Sequence, residues 1–249
     1  MLVHGFTDNG RCWAPVAKAL SDRYDVIMPD MRGHGRSERF EPGERVDMAR
    51  DLAALIVALG LKNLVLCGHS MGAMVAFQTA VRFPGLVSSL VLEDPAWFMP
   101  SSAPPIFSAD LQDNPMAQWV ESLKGQSLED LLEGYRKDHP DWDADLIRAM
   151  AESKKQLDPH AWSVIFPRMG GDKWPWWETL AGLKQPLLLI TGNPERGAIV
   201  TPEMADKVLT LKGDTQIVRF EKAGHLIRFD EPEPFLEALK RFLSSRSPR

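Results

Sequence analysis

Residues 63–82 read Asn-Leu-Val-Leu-Cys-Gly-His-Ser-Met-Gly-Ala-Met-Val-Ala-Phe-Gln-Thr-Ala-Val-Arg. Asn63–Cys67 is a short apolar run of strand length, and Met71–Arg82 opens a helical pattern. Between them stands Gly68-His69-Ser70-Met71-Gly72, a G-x-S-x-G turn in the strand–turn–helix setting that gives the motif its meaning. A serine at this bend sits in a strained backbone with its hydroxyl presented at the end of a strand. It also lies at a helix N-terminus, which favours developing negative charge. The flanking glycines fit because side chains there would collide with neighbouring backbone. The stretch predicts an α/β sheet and makes Ser70 the candidate nucleophile.

Outward from this turn, further short apolar runs alternate with helical patterns. Strands are predicted at 2–4, Asp25–Pro29, Ser89–Glu93, Pro186–Thr191 and Thr215–Phe220. Helices are predicted at Trp13–Leu20, Val46–Leu59, Pro202–Leu211 and Pro234–Leu243. Such alternation implies an open, mostly parallel central sheet flanked by helices. Residues 95–185 break the pattern: they are helix-rich and hold Trp97, Trp119, Trp142, Trp162, Trp174, Trp176 and Trp177. They read as a helical insertion packed by large aromatics, with an inner face suited to an apolar substrate pocket.

The 249 residues, 44% hydrophobic and 25% charged, suit a globular protein with a substantial core rather than a disordered chain. A net charge of −5 offers no electrostatic footprint for nucleic acid or an anionic membrane, so neither is expected as a partner. Cys12 and Cys67 are too few for a disulfide framework or a cysteine-based zinc site. No run reaches the length of a membrane span, and the chain opens on Met1-Leu2-Val3-His4-Gly5 without a basic, then apolar, leader. The expected location is the cytoplasm.

A serine at its free pKa needs an adjacent base. Of six histidines, His225 in Ala223-Gly224-His225 has the right place, beyond the last predicted strand and before the last helix. A loop there can carry its imidazole over the C-terminal edge of the sheet, where Ser70 points. An oxyanion hole needs two backbone N–H groups. Met71, next after the nucleophile, supplies one. Phe6, in the His4-Gly5-Phe6-Thr7 loop after the first strand, is the candidate for the other, with His4 bracing the loop. Asp30–Ser37 is read as a polar, glycine-rich structural turn.

His4-Gly5-Phe6, Asp30–Ser37, Gly68–Gly72 and Ala223–His225, in this order and spacing, resemble the α/β-hydrolase fold superfamily across almost the whole chain. The resemblance implies a core of residues 1–94 and 186–249 with a helical cap (lid) at 95–185, inserted after the strand ending near Glu93. It implies no metal and no organic cofactor. A serine in the elbow disfavours the dehalogenases and epoxide hydrolases, which use aspartate there. Family members commonly carry the triad acid after the penultimate strand, a loop that here reads Gly192 to Pro202. Counted forward the acid is Glu195; counted backward from Pro202 it falls on Gly197, which has no side chain. Some members instead place the acid after the preceding strand, which gives Asp94, 24 residues beyond Ser70. Asp94 is preferred to Glu195, and Glu93, on the opposite side of its strand, comes third.

The family also has a few dozen residues, including two strands, before its HG motif, whereas three precede His4. The N-terminal edge strands are thus expected to be missing, leaving Asp25–Pro29 as an exposed edge through which copies could associate. The expected activity is hydrolysis of carboxylic esters by a Ser70–His225–Asp94 triad, the oxyanion held by Phe6 and Met71. Trp97 and His69 are the expected substrate contacts, and the partner is a small-molecule ester. A lactonase, a C–C bond hydrolase and a non-catalytic small-molecule-binding protein are the alternatives.

Overall fold

The computed structural model describes residues 1–41, 45–97, 115–169 and 176–245. Among these, five strands form one all-parallel sheet in the order in which they occur in the chain. They are β1 (Leu2–Val3), β2 (Val65–His69), β3 (Ser89–Glu93), β4 (Leu187–Thr191) and β5 (Gln216–Arg219). β3 and β4 are buried along their whole length, as expected of apolar runs covered on both faces.

The helices α1 (Ala14–Leu20), α2 (Met48–Ala58) and α3 (Met71–Arg82) precede β3. Between β3 and β4 the described residues form only helices and turns. These helices are α4 (Pro115–Gly125), α5 (Leu128–Asp138), α6 (Ala144–Lys155), α7 (Ala161–Met169) and α8 (Trp176–Leu180). After β4 come α9 (Pro202–Leu211), α10 (Ile227–Asp230) and α11 (Pro232–Ser244). The alternation read from the sequence is therefore realised, including the α3 and α9 boundaries.

One predicted strand does not form. Asp25–Pro29 lies beside β1, and Leu2 N–H donates to the Ile27 carbonyl at 2.8 Å. A parallel bridge needs a return bond from the amide of residue 29 to the Leu2 carbonyl, and residue 29 is proline, which has no N–H. The expected exposed edge is thus an irregular, half-buried segment rather than a strand.

The core lies on both faces of the sheet. On one, Leu66, Leu90, Leu92 and Leu189 meet Phe77 and Met74 of α3 and Leu52 and Ile56 of α2. On the other, Leu2, Val91, Leu188 and Ile190 meet Trp13 and α11 residues Phe235, Leu239 and Phe242. Each such buried side chain contributes about 1.5–3 kcal/mol relative to exposure. The segment between β3 and β4 shares the first of these cores through Val120, Leu157, Ala161, Trp162 and Ile165. It also holds a smaller core of its own around Leu123, Leu131, Leu132 and Ile147.

The tryptophans there divide in role. Trp97 and Trp162 are buried and Trp119 is exposed. Trp142 stacks on His139 with ring centroids 3.8 Å apart. Trp174 and the side chain of Trp176 lie outside the described residues.

Candidate active site

Ser70 follows β2 directly and caps α3 with φ 52° and ψ −117°, a left-handed backbone that a serine adopts only under constraint. The constraint is close packing. A Cβ on Gly68 would enter the Gly72 carbonyl, and one on Gly72 would enter the carbonyls of Val3 and His4. Strand β2, helix α3 and the loop after β1 therefore meet at this turn with no room for a side chain. Ser70 N–H is tied to the Glu93 carbonyl at 3.0 Å, which locks the bend to the adjacent strand end. The hydroxyl makes no hydrogen bond among the described residues.

At the end of β3, Asp94 also has a positive φ, 39°, and is fully buried. Its Oδ2 accepts from His225 Nδ1 at 2.5 Å and from Ile199 N at 2.8 Å, and its Oδ1 accepts from Val200 N at 2.9 Å. The loop after β4, in which family members commonly place an acid, here supplies two main-chain donors to an acid on the neighbouring strand. Gly197, where the backward count fell, occupies a left-handed turn at φ 93°. Glu195 is exposed on the same loop, and the His225 ring is bonded to Asp94 instead. Glu93 points away and binds the Arg228 main chain at 2.9 Å and its guanidinium at 3.0 Å. The structure thus joins His225 to the first of the three carboxylates considered.

In the neutral ring, donation from His225 Nδ1 to the Asp94 carboxylate leaves Nε2 with a lone pair. The His225 ring is partly exposed and lies with its centroid 4.6 Å from that of His69, the residue before Ser70. Among the described residues no hydrogen bond joins the Ser70 hydroxyl to His225; the two loops are linked instead through His69, whose Nε2 donates to the His225 carbonyl.

Phe6 and Met71, the expected oxyanion donors, are both buried at this end of the sheet. Met71 begins α3, so its N–H has no partner within the helix. The Phe6 loop is braced by its own His4 and by His34 of the Asp30–Ser37 turn. His4 Nε2 accepts from Met31 N at 3.0 Å, so its Nδ1 donates to the Gly5 carbonyl at 2.8 Å. Burial holds the His4 pKa down at about 3, so it is neutral. His34 brings Nε2 to the Phe6 carbonyl at 2.5 Å and Nδ1 to that of Arg32 at 2.9 Å. Asp30 accepts from Gly10 N and Arg36 N, so the Asp30–Ser37 segment acts as the structural turn expected.

The two expected substrate contacts lie inside the protein. Trp97 has no exposed surface and stands edge-on to Phe77, centroids 5.3 Å apart. His69 is also buried; its Nε2 donates to the His225 carbonyl at 2.9 Å. Burial, with Arg228 and His225 nearby, keeps His69 well below the usual histidine range and therefore neutral. It ties the loop that carries His225 to the turn that carries Ser70.

Behind the site lies a charged cluster that leaves no motif in the sequence. Asp8, Glu93, Lys154 and Arg228 are all buried and joined into one chain of ion pairs. Lys154 and Arg228 carry no motif, and Asp8 lay unused next to the His4–Thr7 loop. Among the described residues no group of His, Cys, Asp and Glu could hold a metal ion, and no helix is long and apolar enough to cross a membrane.

A family model described as "Alpha/beta hydrolase family" matches residues 1–238. The chain is 31% identical to the 2-(acetamidomethylene)succinate hydrolase of Mesorhizobium japonicum, with 98% of this chain and 87% of that protein covered. It is 29% identical to the N-formylmaleamate deformylase of Pseudomonas putida, again over 98% and 87%. Among solved structures, a thermophilic esterase from Thermogutta terrifontis superposes with a TM-score of 0.76 at 25% identity, covering 99% of this chain and 89% of that one.

Proposed function

The chain belongs to the alpha/beta hydrolase family, and from that premise we propose that it transfers an acyl group to water through Ser70, His225 and Asp94. The observation that carries this reading is the 2.5 Å bond from His225 Nδ1 to the buried Asp94, on loops tied to the strained Ser70 turn by the His69–His225 and Ser70–Glu93 hydrogen bonds. Nε2 of His225 takes the Ser70 proton as Oγ attacks the carbonyl carbon. The carbonyl oxygen becomes negative and is held by the Phe6 and Met71 amides. Collapse breaks the bond to the leaving group, which departs with the proton from Nε2. A water molecule then loses a proton to the same nitrogen, attacks the acyl-enzyme and frees the acid and Ser70.

Carboxylic esters are the first substrate class, supported by the likeness to an esterase. Hydrolysis of an N-acyl group is the second reading, favoured by two relatives whose names contain acetamido and N-formyl groups. Turnover of p-nitrophenyl esters beside N-formyl and N-acetyl enamides separates them. The parent protein should be labelled at Ser70 by a fluorophosphonate and Ser70→Ala should be silent. A folded parent that is neither labelled nor active on either class overturns the reading and favours a non-catalytic binding protein.

A further inference from the structure

Lys154, on α6, extends its ammonium into the protein beneath the loop that follows β1. Nζ donates to the Thr7 carbonyl at 3.0 Å, Asp8 Oδ1 at 2.9 Å and Ser153 Oγ at 3.4 Å. The other Asp8 oxygen faces Arg228, 3.4 Å away, which in turn holds Glu93. Burial is the largest single effect on each and works against both charges, but the neighbours together outweigh it: Lys154, Arg228 and His69 hold Asp8 below the usual carboxylate range, and Asp8, Tyr135 and Cys12 hold Lys154 above the usual lysine range. The pair is ionised, buried and short.

Its position bears on the proposed oxyanion hole. In a planar trans peptide the Phe6 N–H points opposite to the Gly5 carbonyl. The Gly5 carbonyl accepts from Asp8 N at 3.2 Å and from His4 Nδ1 at 2.8 Å. Whatever fixes Asp8 therefore fixes the direction of the Phe6 donor. The next carbonyl, Phe6, is held by His34, and the one after, Thr7, by Lys154. We propose that Lys154 and Asp8 are positioning residues: a cation carried by the helical insertion aims the Phe6 amide at the oxyanion. This rests on the hydrolase reading above. The insertion then does more than cover the site; it completes the geometry of a loop in the core.

The second half of α6 and the turn after it are docked on the same side by Arg11–Glu152 at 2.7 Å and Asn9–Gln156 at 2.9 Å. These contacts supply a control, because they anchor the helix without touching the peptides from residue 5 to 8. The test compares Lys154→Met, Asp8→Asn, their double variant and Glu152→Gln on p-nitrophenyl acetate. For each, kcat, KM, inhibition by a boronic acid that mimics the tetrahedral adduct, and the urea midpoint are measured.

Misaiming one donor costs part of the roughly 10²–10³ lost when such a donor is removed. Lys154→Met and Asp8→Asn should therefore each lower kcat by at least about tenfold with KM little changed, and weaken boronate binding in parallel. The double variant should lose no more than the worse single one, because both break one link. Glu152→Gln should keep kcat. Should Lys154→Met not fold, the isosteric Asp8→Asn carries the same expectations.

A labelled, active parent whose folded Asp8→Asn or Lys154→Met variant retains kcat and boronate affinity overturns the positioning alone. So does an equal loss in Glu152→Gln, which would mean general docking of the helix. An unlabelled, inactive parent overturns the hydrolase reading and this proposal with it.

Discussion

The Asp94 carboxylate accepts from His225 Nδ1, Ile199 N and Val200 N without contact with water. Asparagine in its place would offer an amide where an acceptor is required and would favour the wrong tautomer of His225. Asp94→Asn should lower kcat by about 10⁴, whereas Glu195→Gln, on an exposed turn, should leave it unchanged; steady-state turnover of one ester measures both. Much of this site is legible residue by residue. Ser70, His225 and the His4–Phe6 loop each stand in a local motif whose chemistry needs that residue type. The acid was legible only as a choice, since Asp94 and Glu195 both follow strands that reach the same edge. What separates them is which carboxylate the Ile199 and Val200 amides surround, a contact between segments 105 residues apart in one case and 106 in the other.

At the scale of elements, the nucleophile turn is a three-way junction of β2, α3 and the loop after β1. Gly72→Ala would drive a methyl into the backbone carbonyls of Val3 and His4, neither of which can rotate away. The expected cost is about 1–3 kcal/mol or more, read from the urea midpoint, together with loss of fluorophosphonate labelling. An unchanged midpoint would mean that the junction is looser than its contacts indicate. Most elements followed from period and punctuation: β3, α3 and α9 lie where the apolar spacing puts them. The failure at Asp25–Pro29 has an equally local origin. Its apolar run reads as a strand, but Pro29 removes the one donor that would return to β1, a partner only two residues long.

For the molecule as a whole, buried ionisable groups set the response to acid. His4 is neutral in the folded protein down to about pH 3 against an ordinary value of 6.5, and His69 is likewise shifted well down, both through burial. Between the two pKa values the unfolded chain binds more protons than the folded one, so falling pH favours unfolding. Each such histidine contributes up to about 1.4 kcal/mol of lost stability per pH unit below about 6.5. Asp8, shifted below the usual range, acts in the same direction nearer pH 3–4, while Glu93, raised by burial, runs the other way. Urea midpoints should fall steadily from pH 7 to pH 5, and His4→Gln should be less stable at pH 7 but show a shallower decline. A flat profile in the parent protein would contradict neutral burial of His4 and His69.

Local pattern was enough to establish a parallel α/β sheet and to single out the strained turn at Ser70 and the histidine at 225, because each is written in neighbouring residues whose spacing and sterics act over one turn or one strand. The partner of that histidine, the inward orientation of Trp97 and His69, and the Lys154–Asp8–Arg228–Glu93 chain were decided only when distant segments met. Their charges lie up to 220 positions apart along the chain. A buried ion pair leaves no periodic trace in composition, since nothing about a lysine or an arginine reveals that its partner waits in the interior until the fold brings the two within reach.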